Sequence, residues 1–204
     1  WKSYAAFPKL KESYRSEINL LDYLNKEIYG TDGKNILKTG KYNKYDHLSF
    51  SDIPFNINVN NNIAKLLGLF LAEGSYQHDP RGLATAAVFS YGGHEVELAD
   101  FTTESLFNLT KCLPETRSRP EKNLREVYLR NTIFAQFLKN LCGKGSENKK
   151  IPFSVYGWPH NLIRSLLNGL VLGDARINKK SGQIQLKLKN KNIVWSVRLI
   201  LATF

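Results

Sequence analysis

Two acidic residues stand in matched surroundings 174 − 73 = 101 residues apart, and that pairing is the strongest chemical signal in the chain. Leu66-Leu67-Gly68-Leu69-Phe70-Leu71-Ala72-Glu73-Gly74 and Leu167-Asn168-Gly169-Leu170-Val171-Leu172-Gly173-Asp174-Ala175 each put a glycine five residues before a carboxylate and a small residue directly before it. Gly68 and Ala72 are four apart, as are Gly169 and Gly173, so each segment, if helical, carries a stripe without bulky side chains. Two such stripes let helix axes approach more closely than the usual separation of roughly 8–10 Å. The carboxylates would then meet at the foot of the pair. An acid at a helix C-terminus faces the negative end of the macrodipole, and two acids there compound the cost. A shared divalent cation offsets it, and oxygen ligands with room for water suit Mg²⁺. Taken singly, either acid reads as an ordinary surface carboxylate; their repetition in one register sets them apart.

The elements that must hold these acids follow from periodicity. Ile63, Leu66, Leu67, Phe70 and Leu71 fall at i, i+3, i+4, i+7 and i+8, an amphipathic helix ending near Gly74. A strand is expected over 86–91, a helix over 95–111, a strand around Val127 and Leu129, and a helix over 132–141 stopped by Gly143. A helix over 161–173, with Asn161 as its N-cap, restarts the order. Residues 183–189 alternate as a strand, with Ile184, Leu186 and Leu188 on one face and Gln183, Gln185, Lys187 and Lys189 on the other. Residues 192–204 are helical in pattern. A helix–strand–helix unit at 63–111 thus recurs at 162–204, an internal repeat whose second copy is cut short. Ahead of it, residues 1–60 form one unit, with a helix expected over 10–29 and an Asn-rich loop over 56–62.

The chain has 204 residues, with 29 Lys and Arg against 18 Asp and Glu, a net charge of +11. That excess favours a polyanionic partner over a neutral one. Only Cys112 and Cys142 are present, so a secreted disulfide scaffold is excluded, both read as buried small hydrophobes, and an intracellular, reducing compartment is expected. No apolar run reaches the ~18 residues that span a bilayer, and no signal peptide opens the chain. The chain starts at Trp1 and contains no Met, which points to a processed piece or a fragment. Two stretches concentrate the charge. Residues 34–45 carry Lys34, Lys38, Lys41 and Lys44 interleaved with Tyr42 and Tyr45, and residues 176–191 carry Arg176, Lys179, Lys180, Lys187, Lys189 and Lys191 with no acid. A strand face of amides and ammoniums can read bases and neutralise phosphates, whereas lysines on a strand edge also serve as ordinary edge protection.

The paired nonapeptides resemble the LAGLIDADG homing endonucleases, specifically the two-repeat, single-chain branch found in inteins and introns. Glu73 replaces the final Asp of the first motif; in the second, Asn168 replaces a small residue and Ala175 the closing Gly. Lys149-Lys150-Ile151-Pro152 looks like the family's linker between repeats, and Tyr4-Ala5-Ala6-Phe7-Pro8 resembles the passage from an intein's splicing domain into its endonuclease. The resemblance implies an α+β fold of tandem pseudo-symmetric αββαββα repeats, with saddle-shaped antiparallel sheets and a central helix pair. The division expected is an N-terminal extension over 1–60, repeat 1 over 61–150 and a truncated repeat 2 over 151–204.

It further implies a monomer with internal pseudo-twofold symmetry that cuts both strands of a long, imperfectly palindromic double-stranded DNA site. Glu73 and Asp174, with the backbone of Ala72 and Gly173 beside them, would hold Mg²⁺, with Ca²⁺ or Mn²⁺ substituting for binding. The family places a basic residue on a later strand near the scissile phosphate; the matching strand offers Arg130, with Arg125 before it. Lys179, Lys180, Gln183, Gln185, Lys187, Lys189, Arg81, Lys41 and Lys44 are the expected DNA contacts. No residue set for splicing is present, so the chain is not a self-splicing intein by itself. The competing reading is a catalytically inactive LAGLIDADG-derived DNA-binding protein or RNA-splicing maturase; the retention of both acids favours the nuclease.

Overall fold

The computed structural model describes residues 16–38, 53–178, 180–186 and 188–202. Its first segment corrects the helix expected over 10–29 from residue 16 onward; residues 10–15 lie outside the described residues. Strand β1 (Glu17–Asn19) leads into a short 3-10 turn at Leu20–Tyr23, followed by β2 (Tyr29–Thr31) and β3 (Ile36–Lys38). Ile18 and Leu20 are both buried, a spacing of two that suits a strand as well as the wider spacing suits a helix. Tertiary pairing decides: β1 lies antiparallel to β4 (Asn56–Asn58), with Ile18 opposite Ile57. The Asn-rich stretch is therefore partly strand, and it ends in a helix cap and the first residues of that helix.

That cap is Asn60, whose Oδ1 accepts the Ile63 N–H at 2.9 Å and starts α1 (Asn61–Glu73). From Leu66 to Leu71 every residue is buried, so α1 is a central helix rather than a surface amphipathic one. It passes without a loop into β5 (Gly74–His78), and a turn at Asp79–Gly82 returns the chain as β6 (Ala84–Gly92). Then follow α2 (Val96–Thr110), β7 (Glu115–Arg119), β8 (Leu124–Leu129) and α3 (Thr132–Cys142). The four strands form one antiparallel sheet in the order β5-β6-β8-β7. Tyr76, Phe89, Tyr91, Val127 and Leu129 share the face covered by helices, where Phe70 packs edge-on to Phe89 at 5.4 Å. Ser75, Gln77, Ser90, Glu126, Tyr128, Arg117 and Arg119 occupy the opposite face. Cys142 is fully buried, as expected of a small hydrophobe; Cys112 is only half-buried and accepts from Asn131 Nδ2 at 3.4 Å.

The order then restarts with α4 (His160–Asp174), β9 (Ala175–Ile177), β10 (Ile184–Leu186) and α5 (Lys191–Leu201). Pro159, not Asn161, occupies the cap position of α4, its carbonyl receiving the Leu162 and Ile163 amides; Asn161 Nδ2 instead donates to Asn61 Oδ1 of α1 at 3.2 Å. Strand β10 is shorter than the alternation suggested. Ile184 is exposed although Leu186 and Leu188 are half-buried, and among the described residues β9 is the one strand paired with β10. Among the described residues no helix is long and apolar enough to cross a membrane.

Candidate active site

Helices α1 and α4 run side by side in backbone contact, and the glycines make this possible. A Cβ at Gly68 would fall on the Leu166 carbonyl oxygen, with the Leu170 nitrogen 2.8 Å away. A Cβ at Gly169 would fall on the Lys65 carbonyl oxygen, with the Leu69 nitrogen 2.9 Å away. At the foot of the pair, a Cβ at Gly173 would stand 2.5 Å from the Ala72 Cβ and 3.1 Å from Glu73 Cγ. Each acid is the last residue of its helix, and each helix continues straight into a strand through an extended residue, Gly74 or Ala175. The two carboxylates are thereby brought to one place by elements that cannot slide past each other.

Charge accumulates there. Burial first, then the neighbouring Asp174 and Glu95, push the Glu73 carboxyl up to about 7. Burial likewise raises Asp174, and Lys149 counteracts the rise in both. Glu95 is held near by accepting the Gly92 amide at 2.6 Å. Tyr91 of β6 is buried near Glu73 and Glu95, its hydroxyl bonded to that of Thr102 at 2.6 Å.

Lys149 is the residue that sequence reading passed over. It is 4% exposed, and its ammonium donates to the carbonyls of Phe70 at 2.8 Å, Leu71 at 3.0 Å and Ala72 at 3.4 Å. These are carbonyls of the last turn of α1, and the first of them also accepts the Gly74 amide that ends the helix. A cation there also opposes the macrodipole that Glu73 aggravates. Burial pushes the Lys149 amine down to about 8, while Cys142, Asp174 and Glu73 favour its charge. Nothing in the run Lys149-Lys150 distinguishes the two lysines by sequence; only the fold buries the first and leaves the second exposed.

The other expected site residues scatter. Arg130 donates to Glu115 Oε2 at 3.1 Å beyond the C-terminal end of β8, level with Gln77 and thus about 13 Å along the strands from Glu73. Arg125 lies nearer, opposite Tyr91, with its Nε buried and without a hydrogen-bond partner among the described residues. Arg81 is bound to Asp79 at 2.9 Å in the β5–β6 turn. Gln185 stands opposite Arg176, and both are exposed, as are Gln183, Lys180 and Lys189. Lys41, Lys44, Lys179 and Lys187 lie outside the described residues. On the four-stranded sheet, Arg117 is stacked 4.6 Å from the Tyr128 ring and Arg119 is paired with Glu126 at 3.3 Å.

The donor set suits a hard cation. It offers two carboxylates and nearby helix-end carbonyls, and among the described residues no group of three or more His, Cys, Asp and Glu could form a protein-only cage. Mg²⁺ commonly uses one or two carboxylates and leaves its remaining positions to water or phosphate.

No family model matches the chain. It is 27% identical over 188 residues to the ATP-dependent DNA helicase Hel308 of Thermococcus kodakarensis, covering 88% of this chain and 16% of the helicase. It is 26% identical over 145 residues to a DNA polymerase of the same organism, covering 71% of this chain and 8% of the polymerase. It is also 24% identical over 192 residues to the DNA-directed RNA polymerase subunit Rpo1C of Methanocaldococcus jannaschii, covering 92% of this chain and 20% of that subunit. The chain thus spans a fifth or less of these relatives' lengths.

Proposed function

We propose that the chain is a site-specific double-strand DNA endonuclease of the LAGLIDADG homing type, with one composite active site at the foot of α1 and α4. The observation that carries this reading is the convergence of Glu73 and Asp174 through glycine contacts related by the 101-residue repeat. An acid pair at two helix ends is costly for a structural role and useful for holding a metal against a phosphate. The order of elements from α1 to α3, and its restart from α4 to α5, is compatible with an αββαββα unit followed by the first part of a second, and so supports the reading. The relatives add a separate argument. A helicase, a DNA polymerase and an RNA polymerase subunit share a stretch of similar length that fills a small part of each. Three enzymes with different activities would share such a stretch if it is an inserted element with its own activity.

In this reading Glu73 and Asp174 supply the anionic oxygens that hold Mg²⁺, with the backbone of Ala72 and Gly173 alongside. The metal's contribution when bound is to lower the pKa of a water and to stabilise the leaving 3′-oxygen. Lys149 keeps the foot of α1 from repelling a phosphodiester by balancing the carbonyls and acids. The sheet faces opposite the helices, with Gln77, Arg117 and Arg119 in one repeat and Arg176, Gln183 and Gln185 in the other, meet the duplex. Arg117 and Arg119 sit beside Glu115 and Glu126, so repeat 1 contributes shape and hydrogen bonding more than net charge. The test is cleavage in Mg²⁺ of a plasmid carrying the uninterrupted host coding sequence. Linear product from the parent and none from Glu73→Gln supports the reading; equal cleavage by both removes it.

A further inference from the structure

Asn190 lies far from Lys149 in sequence and belongs to the second repeat, yet its side chain grips the Lys149 main chain. It is 3% exposed and all four of its hydrogen-bonding positions are used. Its Oδ1 accepts the Asn192 amide at 2.9 Å and the Ile193 amide at 3.2 Å, which caps α5. Its Nδ2 donates to the Lys149 carbonyl at 2.7 Å and to the Ser146 carbonyl at 3.0 Å. The amide fits only this way round, because the helix offers two donors and the loop two acceptors.

The loop so gripped has few other ties. The Lys149 amide donates to Gly145 at 3.1 Å, the Lys150 amide to Cys142 at 2.8 Å, and the Tyr76 hydroxyl to the Gly143 carbonyl at 3.0 Å. Gly143 has φ +84°, and a Cβ there would also strike the Asn148 carbonyl, so the loop leaves α3 by a sharp turn. Tyr76 comes from the strand that follows Glu73, and Asn190 from the turn that follows β10. The loop is thus fastened to both repeats, and the Lys149 ammonium reaches the α1 carbonyls from that fixed base.

We propose that Asn190 is a positioning residue, which through its bonds to the Lys149 and Ser146 carbonyls holds the Lys149 ammonium at the foot of the two motif helices. Its catalytic consequence rests on the endonuclease reading; its structural content does not. A displacement of about 1 Å in a supporting group can cost on the order of 100-fold in rate. The capping function alone would need only the oxygen, and a buried asparagine that also spends its nitrogen on the loop couples the folding of repeat 2 to the placement of Lys149.

Asn190→Asp separates the two functions. It keeps both acceptor bonds to α5 and loses both donor bonds to the loop. Asn190→Ser is the second variant, since its hydroxyl can cap the helix but cannot reach the two carbonyls. Two readouts are taken on the full chain: reductive methylation of Lys149 followed by peptide mass spectrometry, with exposed Lys150 as internal reference, and single-turnover cleavage beside DNA affinity. We expect Lys149 to be methylated at least fivefold faster in either variant relative to Lys150. Cleavage should fall at least tenfold with DNA affinity within twofold of the parent. Lys149 protection equal to the parent's overturns the proposal whatever the cleavage rate, and lost protection with undiminished cleavage overturns its catalytic part. If the parent itself does not cleave DNA, the endonuclease reading fails while the methylation arm still decides whether Asn190 places Lys149.

Discussion

Gly68 and Gly169 occupy equivalent places in one helix pair. Gly68 faces the backbone between Leu166 and Leu170, and Gly169 faces the backbone between Lys65 and Leu69, each contact being the other shifted by 101 residues. The spacing read from sequence thus recurs as a pair of reciprocal contacts, with backbone rather than side chains between the two helices.

Substituting these glycines should therefore be costly. Gly68→Ala and Gly169→Ala each drive a methyl into a partner carbonyl that belongs to a helix and cannot move alone. Overpacking of this kind costs about 1–3 kcal/mol, and the upper end is expected because the obstacle is backbone. For a chain of this size that lowers Tm by roughly 5–10 °C. Gly157→Ala, where a Cβ meets nothing within 4 Å, is the control and should stay within about 0.5 kcal/mol of the parent. Thermal melts of the three variants check the contrast; equal Tm values for Gly68→Ala and Gly157→Ala would remove the close-contact account.

The acid pair should make stability depend on pH. The Glu73 carboxyl is held at about 7 against an ordinary 4.5, so the folded chain prefers it neutral more than the unfolded chain does. Stability from that source is fully present below about pH 4.5 and is lost as pH rises to about 7; Asp174 acts in the same direction. At pH 7.5 without metal, Glu73→Gln should melt about 2–4 °C higher than the parent, a gain of roughly 1 kcal/mol after solvent screening of a half-buried group. At pH 4 the difference should vanish. Added Mg²⁺ or Ca²⁺ should raise the parent's Tm and leave the Gln variant nearly unmoved. A variant that melts lower at pH 7.5 would make the carboxylate a structural acceptor.

Lys149→Met tests the opposite sign. The methionine keeps much of the volume and removes the cation, taking a donor from three helix-end carbonyls and the counter-charge from two acids. Removing one member of a buried charge arrangement costs about 3–5 kcal/mol. The loss should be relieved in the double variant Lys149→Met, Glu73→Gln. A double-mutant cycle by chemical denaturation measures that coupling, and strictly additive effects would contradict it.

How far sequence reading reached follows from what each residue had to reveal. The central helices were legible because glycine spacing and apolar periodicity are local properties of nine residues. Strands β7 and β9 were not, since Glu115–Arg119 is polar throughout and is strand only because β8 pairs with it. The helix expected over 10–29 failed for the same reason, its apolar residues fitting both periods until β4 chose one. Of the candidate site, the two acids were visible by repetition. Lys149 and Asn190 were not, because burial of a lysine in a Gly/Ser/Lys loop is a tertiary event without local signature.

Binding to duplex DNA should be strongly dependent on salt. If six basic groups of the +11 chain neutralise phosphates, log K should fall against log[salt] with a slope of about −5. Arg176→Ala should flatten that slope by about 1, whereas Gln185→Ala should change sequence preference more than affinity. Fluorescence anisotropy between 50 and 300 mM salt, ~50 mM at the lowest, reads both. A slope flatter than about −2 would contradict a phosphate-tracking surface.

The most direct measurement is cleavage of a randomised double-stranded DNA library in Mg²⁺ by the parent, Glu73→Gln and Asp174→Asn, with both new ends sequenced. The parent should select one class of site and break both strands at a fixed stagger. Either amide variant should bind the selected site and leave both strands intact, or nick one slowly, because a single composite site needs both acids. Double-strand cleavage undiminished in either variant would contradict the account and place the chemistry elsewhere in the chain.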